Sequence, residues 1–404
     1  MIQEAKSKKP EFPYAVVTII AVNVILAIIF SRDFDNAARD FGLIPNTFRV
    51  GRLITSCFLH DGPIHLIINM ALLYIFGADI ERAIGKLEFV LFYIGACLAS
   101  SILHIAIVLA SLDPYYASRA VVGASGAIAG VMGLYAVRFH RRIFKLDGIE
   151  VSALFLIMCW LVIQLGLGLV ALYRDDLFGL RLKYVAYWSH LGGFTFGIVT
   201  AMIANMALQG EREYLTKKGK QDYDQGNMLE AAQDYDSLIK YDPDNAFAHA
   251  QLGRLWAIMD EETQSLPYYR SAIELYIHQG KEEEAITTAA EMKQYWPEVH
   301  LDAGWRFRLA SFQEENGQYE SAVAAFHEIA HQEPESAEAQ MSLLKIAHLQ
   351  LSSLQAPSAS IATINTFLER YPKSEWRSFA EKTLRQAKDM AFQKRMIFPR
   401  SAAE

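Results

Sequence analysis

The chain has 404 residues, enough for two or three domains, and a formal net charge of −7, which excludes a nucleic-acid partner held by net positive charge. Its three scattered cysteines, Cys57, Cys97 and Cys159, exclude a disulfide framework, lack metal-ligand spacing and read as small core-filling residues. Apolar residues make up 52% of the whole but are segregated: long apolar runs dominate up to about Leu208, and a charged sequence follows Gln209.

Lys6, Lys8 and Lys9 precede the first apolar run, Tyr14–Phe30. Ser31-Arg32-Asp33 follow it with no small-residue cleavage site, so it reads as a retained transmembrane helix behind a cytoplasmic segment, 1–12. Five further runs, Ile64–Ala78, Leu87–Leu112, Ala120–Val137, Val151–Leu172 and Tyr184–Leu208, complete a six-span membrane domain over 13–208. The second run is the shortest and is expected to continue past Ala78. The N-terminal lysines, the cluster from Arg138 to Lys145, and Arg212, Lys217, Lys218 and Lys220 place both termini on the cytoplasmic side. Arg32, Arg39, Arg49 and Arg52 lie in a long outer loop that need not obey the charge rule.

With that topology the even spans run inward, so His65, Ser125 and His190, near the starts of spans 2, 4 and 6, face one outer leaflet. A helix continuing from Arg119 would put Ser125 about 9 Å along it. Ser125 sits in Gly123-Ala124-Ser125-Gly126, and His190 is followed by Gly193 and Gly197. A hydroxyl and an imidazole are the minimum set for nucleophilic acyl transfer, and polar groups at membrane depth are costly enough to suggest function. Each has a structural reading too. Gly126, Gly130 and Gly133 recur at helical spacing and make a packing face, and a lone intramembrane histidine can be structural or part of a proton path. The Gly193-x-x-x-Gly197 spacing brings span 6 close to span 4, so that His190 can reach Ser125. His65 and Asn69 share a helix face and offer two donors to an oxyanion, or else bond between helices. No carboxylate sits at membrane depth near His190: Asp113, Asp175 and Asp176 are in outer loops, which leaves a Ser–His dyad without an acid.

His65-x-x-x-Asn69, Gly123-Ala124-Ser125-Gly126 and His190-x-x-Gly193-x-x-x-Gly197, on spans 2, 4 and 6, resemble the rhomboid intramembrane serine proteases over about residues 10–208. The stretch from Phe58 to Met70 matches the family's entry to span 2. The resemblance implies Ser125 as nucleophile and His190 as general base. It implies an oxyanion hole of His65, Asn69 and the Ser125 amide. It also implies structural roles for His60, for Arg52 at the basic position of the first outer loop, and for Glu81 in an acidic–basic turn with Arg82 after span 2. That loop, with apolar residues in Phe41–Ile54, would lie partly in the outer leaflet. Two departures stand out: Gly51 precedes Arg52 where many members have tryptophan, and Ala129 occupies the place where some members stack an aromatic on the histidine.

Beyond Gln209 a 34-residue echo appears: Gly219, Gly226, Ala231 and Tyr235 recur as Gly253, Asp260, Ser265 and Tyr269. Looser copies follow at Ala285, Ala289 and Pro297, then Gly317, Ala322, Phe326 and Pro334, then Phe367 and Pro372. The pattern resembles tetratricopeptide repeats, an α-solenoid of helix pairs over 209–385 before a tail, 386–404, with Pro399. The aromatics Tyr223, Tyr235, Trp256, Tyr268 and Tyr269 read as core, and the scattered histidines as solvated faces.

The fold class is therefore all-α, a six-helix membrane bundle followed by a solenoid. The expected function is a serine endopeptidase cleaving transmembrane proteins near the outer leaflet, without metal or organic cofactor. The repeats would dock a cytoplasmic peptide or protein, or self-associate. The lipid bilayer is the medium, and a compact loop architecture without a transit peptide suggests a bacterial inner membrane. The rivals are a catalytically silent scaffold that binds transmembrane helices and, less well supported, a transporter or channel.

Overall fold

In lipid every backbone polar group must be satisfied within the protein, and a helix does this locally. The apolar runs accordingly become helices in the computed structural model, which describes residues 11–47, 49–174, 176–177, 180–181 and 185–397. Lys6, Lys8, Lys9, Asp175 and Pro399 lie outside the described residues. The chain forms two compact units that divide between Tyr214 and Leu215.

In the first unit α1 (Tyr14–Phe30) is followed by a loop holding α2 (Phe34–Phe41), a 3-10 turn (Pro45–Thr47), α3 (Arg52–Thr55) and a second 3-10 turn (Ser56–Phe58). Helices α4 (Pro63–Ile84) and α5 (Lys86–Ala110) come next, then the one-turn α6 (Pro114–Ala117) and α7 (Ser125–Arg138). A hairpin of β1 (Ile143–Leu146) and β2 (Ile149–Ser152) leads into α8 (Ala153–Tyr173). A two-residue pairing of β3 (Asp176–Leu177) with β4 (Leu180–Arg181) precedes α9 (Tyr187–Ile203). The hairpins are the departure from a wholly helical reading; the first takes up part of the basic cluster after span 4.

Helices α4, α5 and α8 are each long and apolar enough to cross a membrane, and α9 joins α10 (Met206–Asp224) through a 70° bend. The sixth run therefore does not continue as one helix to Leu208. Asn205, at φ 51°, breaks it. The larger correction concerns span 4. Its helix starts at Ser125 instead of Ala120, and its 14 residues reach only about 21 Å against a hydrocarbon core of about 30 Å. Residues 120–124 are not helical, so Ser125 does not lie one turn and more along a helix; it is the first helical residue. A short helix is tolerated here because protein surrounds it: every residue from Gly126 to Ala136 is buried.

Glu81 and Arg82 belong to the last turn of α4, not to a turn after it, because the helix runs on to Ile84. The buried Glu81 carboxylate accepts the backbone N–H of Ala15 at 2.9 Å and of Val16 at 2.8 Å. These belong to the first turn of α1, whose own N-cap residue, Pro13, makes no side-chain cap. Glu81 thus caps a neighbouring helix, with the dipole in its favour. Cys57 and Cys97 are core-filling, but Cys159 is exposed because α8 turns much of its surface outward.

At the opposite end from Ser125, α7 delivers Arg138 to Glu213 at 2.7 Å, and Arg141 clasps Glu211 through two bonds of 2.9 and 2.7 Å. The segments that leave α7 and α9 are therefore tied together.

The second unit continues with α11 (Met228–Tyr241), α12 (Ala246–Ile258), α13 (Glu262–His278), α14 (Glu282–Tyr295), α15 (Ala303–Glu315), α16 (Tyr319–Gln332), α17 (Ala337–Ser352), α18 (Pro357–Arg370) and α19 (Arg377–Ile397). The echo has a physical basis. Gly219 lies against the Tyr235 ring and Gly253 against Tyr269, so that a Cβ would meet the rings at 3.0 and 2.8 Å. Gly226 and Asp260, 34 positions apart, both take the left-handed turn conformation, at φ 84° and 61°. The looser copy at Ala285, Ala289 and Pro297 falls on α14 and its exit, an intervening helix that breaks the strict period. Tyr235 and Tyr269 are core, while Tyr223, Trp256 and Tyr268 are half-buried. The tail read from residue 386 onward is helical to Ile397, with Ala387 buried.

Replacing Glu81 by alanine should leave two first-turn N–H groups of α1 unmet and destabilise the first unit by about 1–3 kcal/mol. Thermal unfolding of the detergent-purified chain would record a lower midpoint.

Candidate active site

Three chain segments converge on the N-terminus of α7. The approach to Ser125 is pinned from two sides: Leu43 and Val121 exchange backbone hydrogen bonds of 3.0 and 2.8 Å, and Gly123 N–H donates to the Ser56 carbonyl at 2.9 Å. Gly123 takes φ 126°, a conformation that favours glycine. A Cβ there would lie 2.9 Å from both Nε2 and Cε1 of His65 and 3.7 Å from Ser125 Oγ, so the imidazole and the hydroxyl flank the same stretch of backbone.

His190 enters from α9. Its Nε2 lies 2.8 Å from Ser125 Oγ. This reach depends on glycines. A Cβ on Gly193 would strike the Gly126 carbonyl, one on Gly197 the Gly130 carbonyl, and one on Gly133 the Phe194 carbonyl. A Cβ on Gly126 would meet the hydroxyls of Ser189 and Ser100 at 2.5 and 2.6 Å. The α7 and α9 backbones are in direct contact, as small-residue faces allow.

His65 and Asn69 occupy one face near the start of α4. The Asn69 side chain is buried, and its amide nitrogen has no hydrogen-bond partner among the described residues. His65 Nδ1 pairs with Asp61 Oδ1 at 2.5 Å, which directs Nε2 toward Gly123 and Ser125. The hydrogen bond from His65 holds the Asp61 carboxyl below its usual range. His60 is buried edge-on to His65, with ring centroids 5.1 Å apart, and among the described residues neither of its nitrogens has a partner. Burial, assisted by His65 and opposed by Asp61, pushes the His60 pKa down to about 4.

Arg52 is buried and lies away from the serine. Its guanidinium donates to the carbonyls of Arg39 at 2.6 Å, Asp40 at 3.1 Å and Thr47 at 3.5 Å, covering the C-terminal end of α2 and fixing the first loop. Glu81 is likewise remote, at the α1 contact. Two residues not singled out from the sequence do reach the site. Gln164 Oε1 lies 2.7 Å from His190 Nδ1, and the Trp160 ring sits 5.9 Å from the imidazole centroid to centroid, inclined at 41°. The available signal was slight: Gln164 is the only side-chain amide between Ala153 and Tyr173.

The comparisons with known proteins fit this geometry. Residues 47–206 match the Rhomboid domain family. Residues 47–206, within the first unit, are a rhomboid domain. Residues 306–336 match the Tetratricopeptide repeat family, so the chain joins a rhomboid membrane domain to helical repeats. RHOMBOID-like protein 6, mitochondrial, of Arabidopsis thaliana is 31% identical over 160 residues, 39% of this chain and 45% of the relative. Rhomboid protease GluP of Bacillus subtilis (strain 168) is 30% identical over 161 residues, 39% of this chain and 27% of the relative. Rhomboid protease GlpG of Haemophilus influenzae is 25% identical over 157 residues, 38% of this chain and 69% of the relative. The match spans less than half the length of the first two. Rhomboid domain and apolar helices together make this a membrane protein, and the repeats point to protein–protein interaction.

Gly193→Ala should force the rhomboid helices α7 and α9 apart and cost about 1–3 kcal/mol. Gly166→Ala, on an open face of α8, should not lower the unfolding midpoint. A second expectation concerns pH. His60 binds a proton less readily when folded than when unfolded, so its contribution is complete above its ordinary 6.5 and is lost as pH falls toward about 4. The drop in unfolding midpoint between pH 7 and pH 5 should therefore be smaller in His60→Gln.

Proposed function

We propose that the chain is an intramembrane serine endopeptidase acting on transmembrane proteins near the outer leaflet. The observation that carries this reading is the 2.8 Å contact between His190 Nε2 and Ser125 Oγ, at the N-terminal end of a helix too short to span the bilayer. A regular substrate helix hides its carbonyls, so the cleaved segment unwinds before it enters. Ser125 Oγ attacks the exposed carbonyl as its proton passes to His190 Nε2. Negative charge develops on the substrate oxygen. The donors proposed to receive it are Asn69 Nδ2, His65 Nε2 and the Ser125 backbone N–H.

The Ser125 amide belongs to the first turn of α7, where N–H groups have no intrahelical acceptor and the helix dipole favours an anion. His190 then protonates the leaving amine. Water, activated by the same imidazole, releases the acyl-enzyme and regenerates Ser125. Gly123, Gly126, Gly193 and Gly197 serve this chemistry by letting the two helices meet, and His60, Arg52 and Glu81 by holding the loops and α1.

The basic residues after α7 and in α10 support placing both termini in the cytoplasm, with the reaction near the opposite face. A bacterial inner membrane is the compartment we favour. The repeats would dock a cytoplasmic peptide or protein, or a second copy.

A fluorophosphonate probe should label the detergent-purified chain, and both Ser125→Ala and His190→Ala should abolish labelling. Equal labelling of wild type and Ser125→Ala would overturn the proposal and favour a silent scaffold.

A further inference from the structure

A histidine serves as base at Nε2 only while its proton resides on Nδ1. In the acid-assisted arrangement a carboxylate enforces that tautomer. No carboxylate among the described residues is bonded to His190. Its Nδ1 meets an amide oxygen, Gln164 Oε1, at 2.7 Å. An amide oxygen accepts and cannot donate, so the contact selects the Nδ1–H tautomer and leaves the Nε2 lone pair directed at Ser125 Oγ.

The same helix supplies a second restraint. Trp160 precedes Gln164 by one turn, on the same face of α8, and its ring lies beside the imidazole, 5.9 Å away centroid to centroid and inclined at 41°. It also lies 6.1 Å from the Phe194 ring, centroid to centroid, which fixes its own position. One residue sets the tautomer and the other the ring plane. The residue four positions after the serine, Ala129, is buried and carries only a methyl group, so α8 supplies what α7 does not.

Resting on the reading of Ser125 and His190 as a catalytic pair, we propose that Gln164 is the positioning residue for the base. Its amide oxygen holds His190 in the productive tautomer and accepts the stronger N–H···O bond once the imidazolium forms. Proton transfer still runs only from Ser125 Oγ to His190 Nε2, and Gln164 gains and loses no proton. The other groups that face His190 are Ser125 from α7, His104 from α5 and His65 from α4. His104 is buried, and its two ring nitrogens lack partners among the described residues. All three are unchanged by substitution at 164.

The test measures the rate of fluorophosphonate labelling against pH for the full-length chain in detergent. Gln164→Leu removes the acceptor at similar volume and should slow labelling about 10- to 100-fold. Gln164→Glu keeps the shape and adds charge. It should retain labelling while moving the acid limb of the pH profile up by about one unit or more, because a carboxylate favours the imidazolium. A purely structural glutamine would leave that limb in place. Labelling of Gln164→Leu at the wild-type rate, or a Gln164→Glu profile superimposed on wild type, overturns this proposal alone. Wild type that fails to label, or labels equally with Ser125→Ala, overturns the endopeptidase reading and this inference with it. Should Gln164→Leu fail to fold, the pH profile of Gln164→Glu decides.

Discussion

Direct contact between the backbones of α7 and α9 is the constraint from which the rest of the site follows. In a bilayer the solvent is as apolar as leucine, so helices gain little from burying apolar side chains against each other; close packing and polar contacts have to hold them. Glycines on both helices let carbonyls stand where β-carbons would otherwise be, Gly126 and Gly130 facing Gly193 and Gly197, and Gly133 facing Phe194. An imidazole is a short lever. It spans from one helix to a serine at the tip of another only when the two axes lie this close. Stability and the Ser125–His190 geometry therefore have one source in this rhomboid domain, and a methyl group on the shared face disturbs both.

The shortness of α7 is the second constraint, and it concerns depth. With about a turn and a half of helix missing relative to a full crossing, the chain reaches Ser125 as non-helical backbone, tied to Leu43 and Ser56. Such backbone is tolerable within a membrane only where protein or water covers it. The first loop supplies that cover, and Arg52 holds the loop by its carbonyls. The same truncation puts Ser125 in the first turn of α7, where N–H groups lack intrahelical acceptors and the helix dipole favours an anion. Loop, helix length and electrostatics thus serve one place, although they are distant in sequence.

Much of this was legible in the sequence where the signal is local. Gly193-x-x-x-Gly197 announces a close helix contact by spacing alone. His65 and Asn69, four apart, must share a face, and the 34-residue echo shows through Gly219 with Tyr235 and Gly253 with Tyr269. Other features depend on what lies across the bundle. Hydropathy does not distinguish an apolar helix from an apolar extended segment, so span 4 seemed to begin at Ala120. Glu81 reads as part of an acidic–basic turn after span 2 because nothing in its neighbourhood shows that the start of α1, some 65 residues earlier, lacks a cap. Gln164 was silent for the same reason: its partner lies 26 residues on, and only the rotation of α8 decides whether its amide faces lipid or imidazole. The extra helix α14 also escaped notice, since its small residues mimic a loose repeat.

That an amide and not an acid stands beside His190 has a physical logic on the proposed reading. An ionised carboxylate at this depth would carry a large desolvation cost, and a nearby imidazole repays it only when protonated. In the resting state the imidazole must be neutral to act as base, so such a carboxylate would sit unpaired for most of the cycle. A glutamine oxygen is neutral throughout. It fixes the tautomer at the cost of one ordinary hydrogen bond, and gives up part of the stabilisation a full charge would lend the imidazolium. The Trp160 ring, 5.9 Å from the imidazole centroid to centroid, would offset some of that loss, because a cation near an aromatic ring is favoured where water is sparse. Orientation and tautomer can thus be secured by groups that carry no charge, which is the arrangement a membrane permits most cheaply.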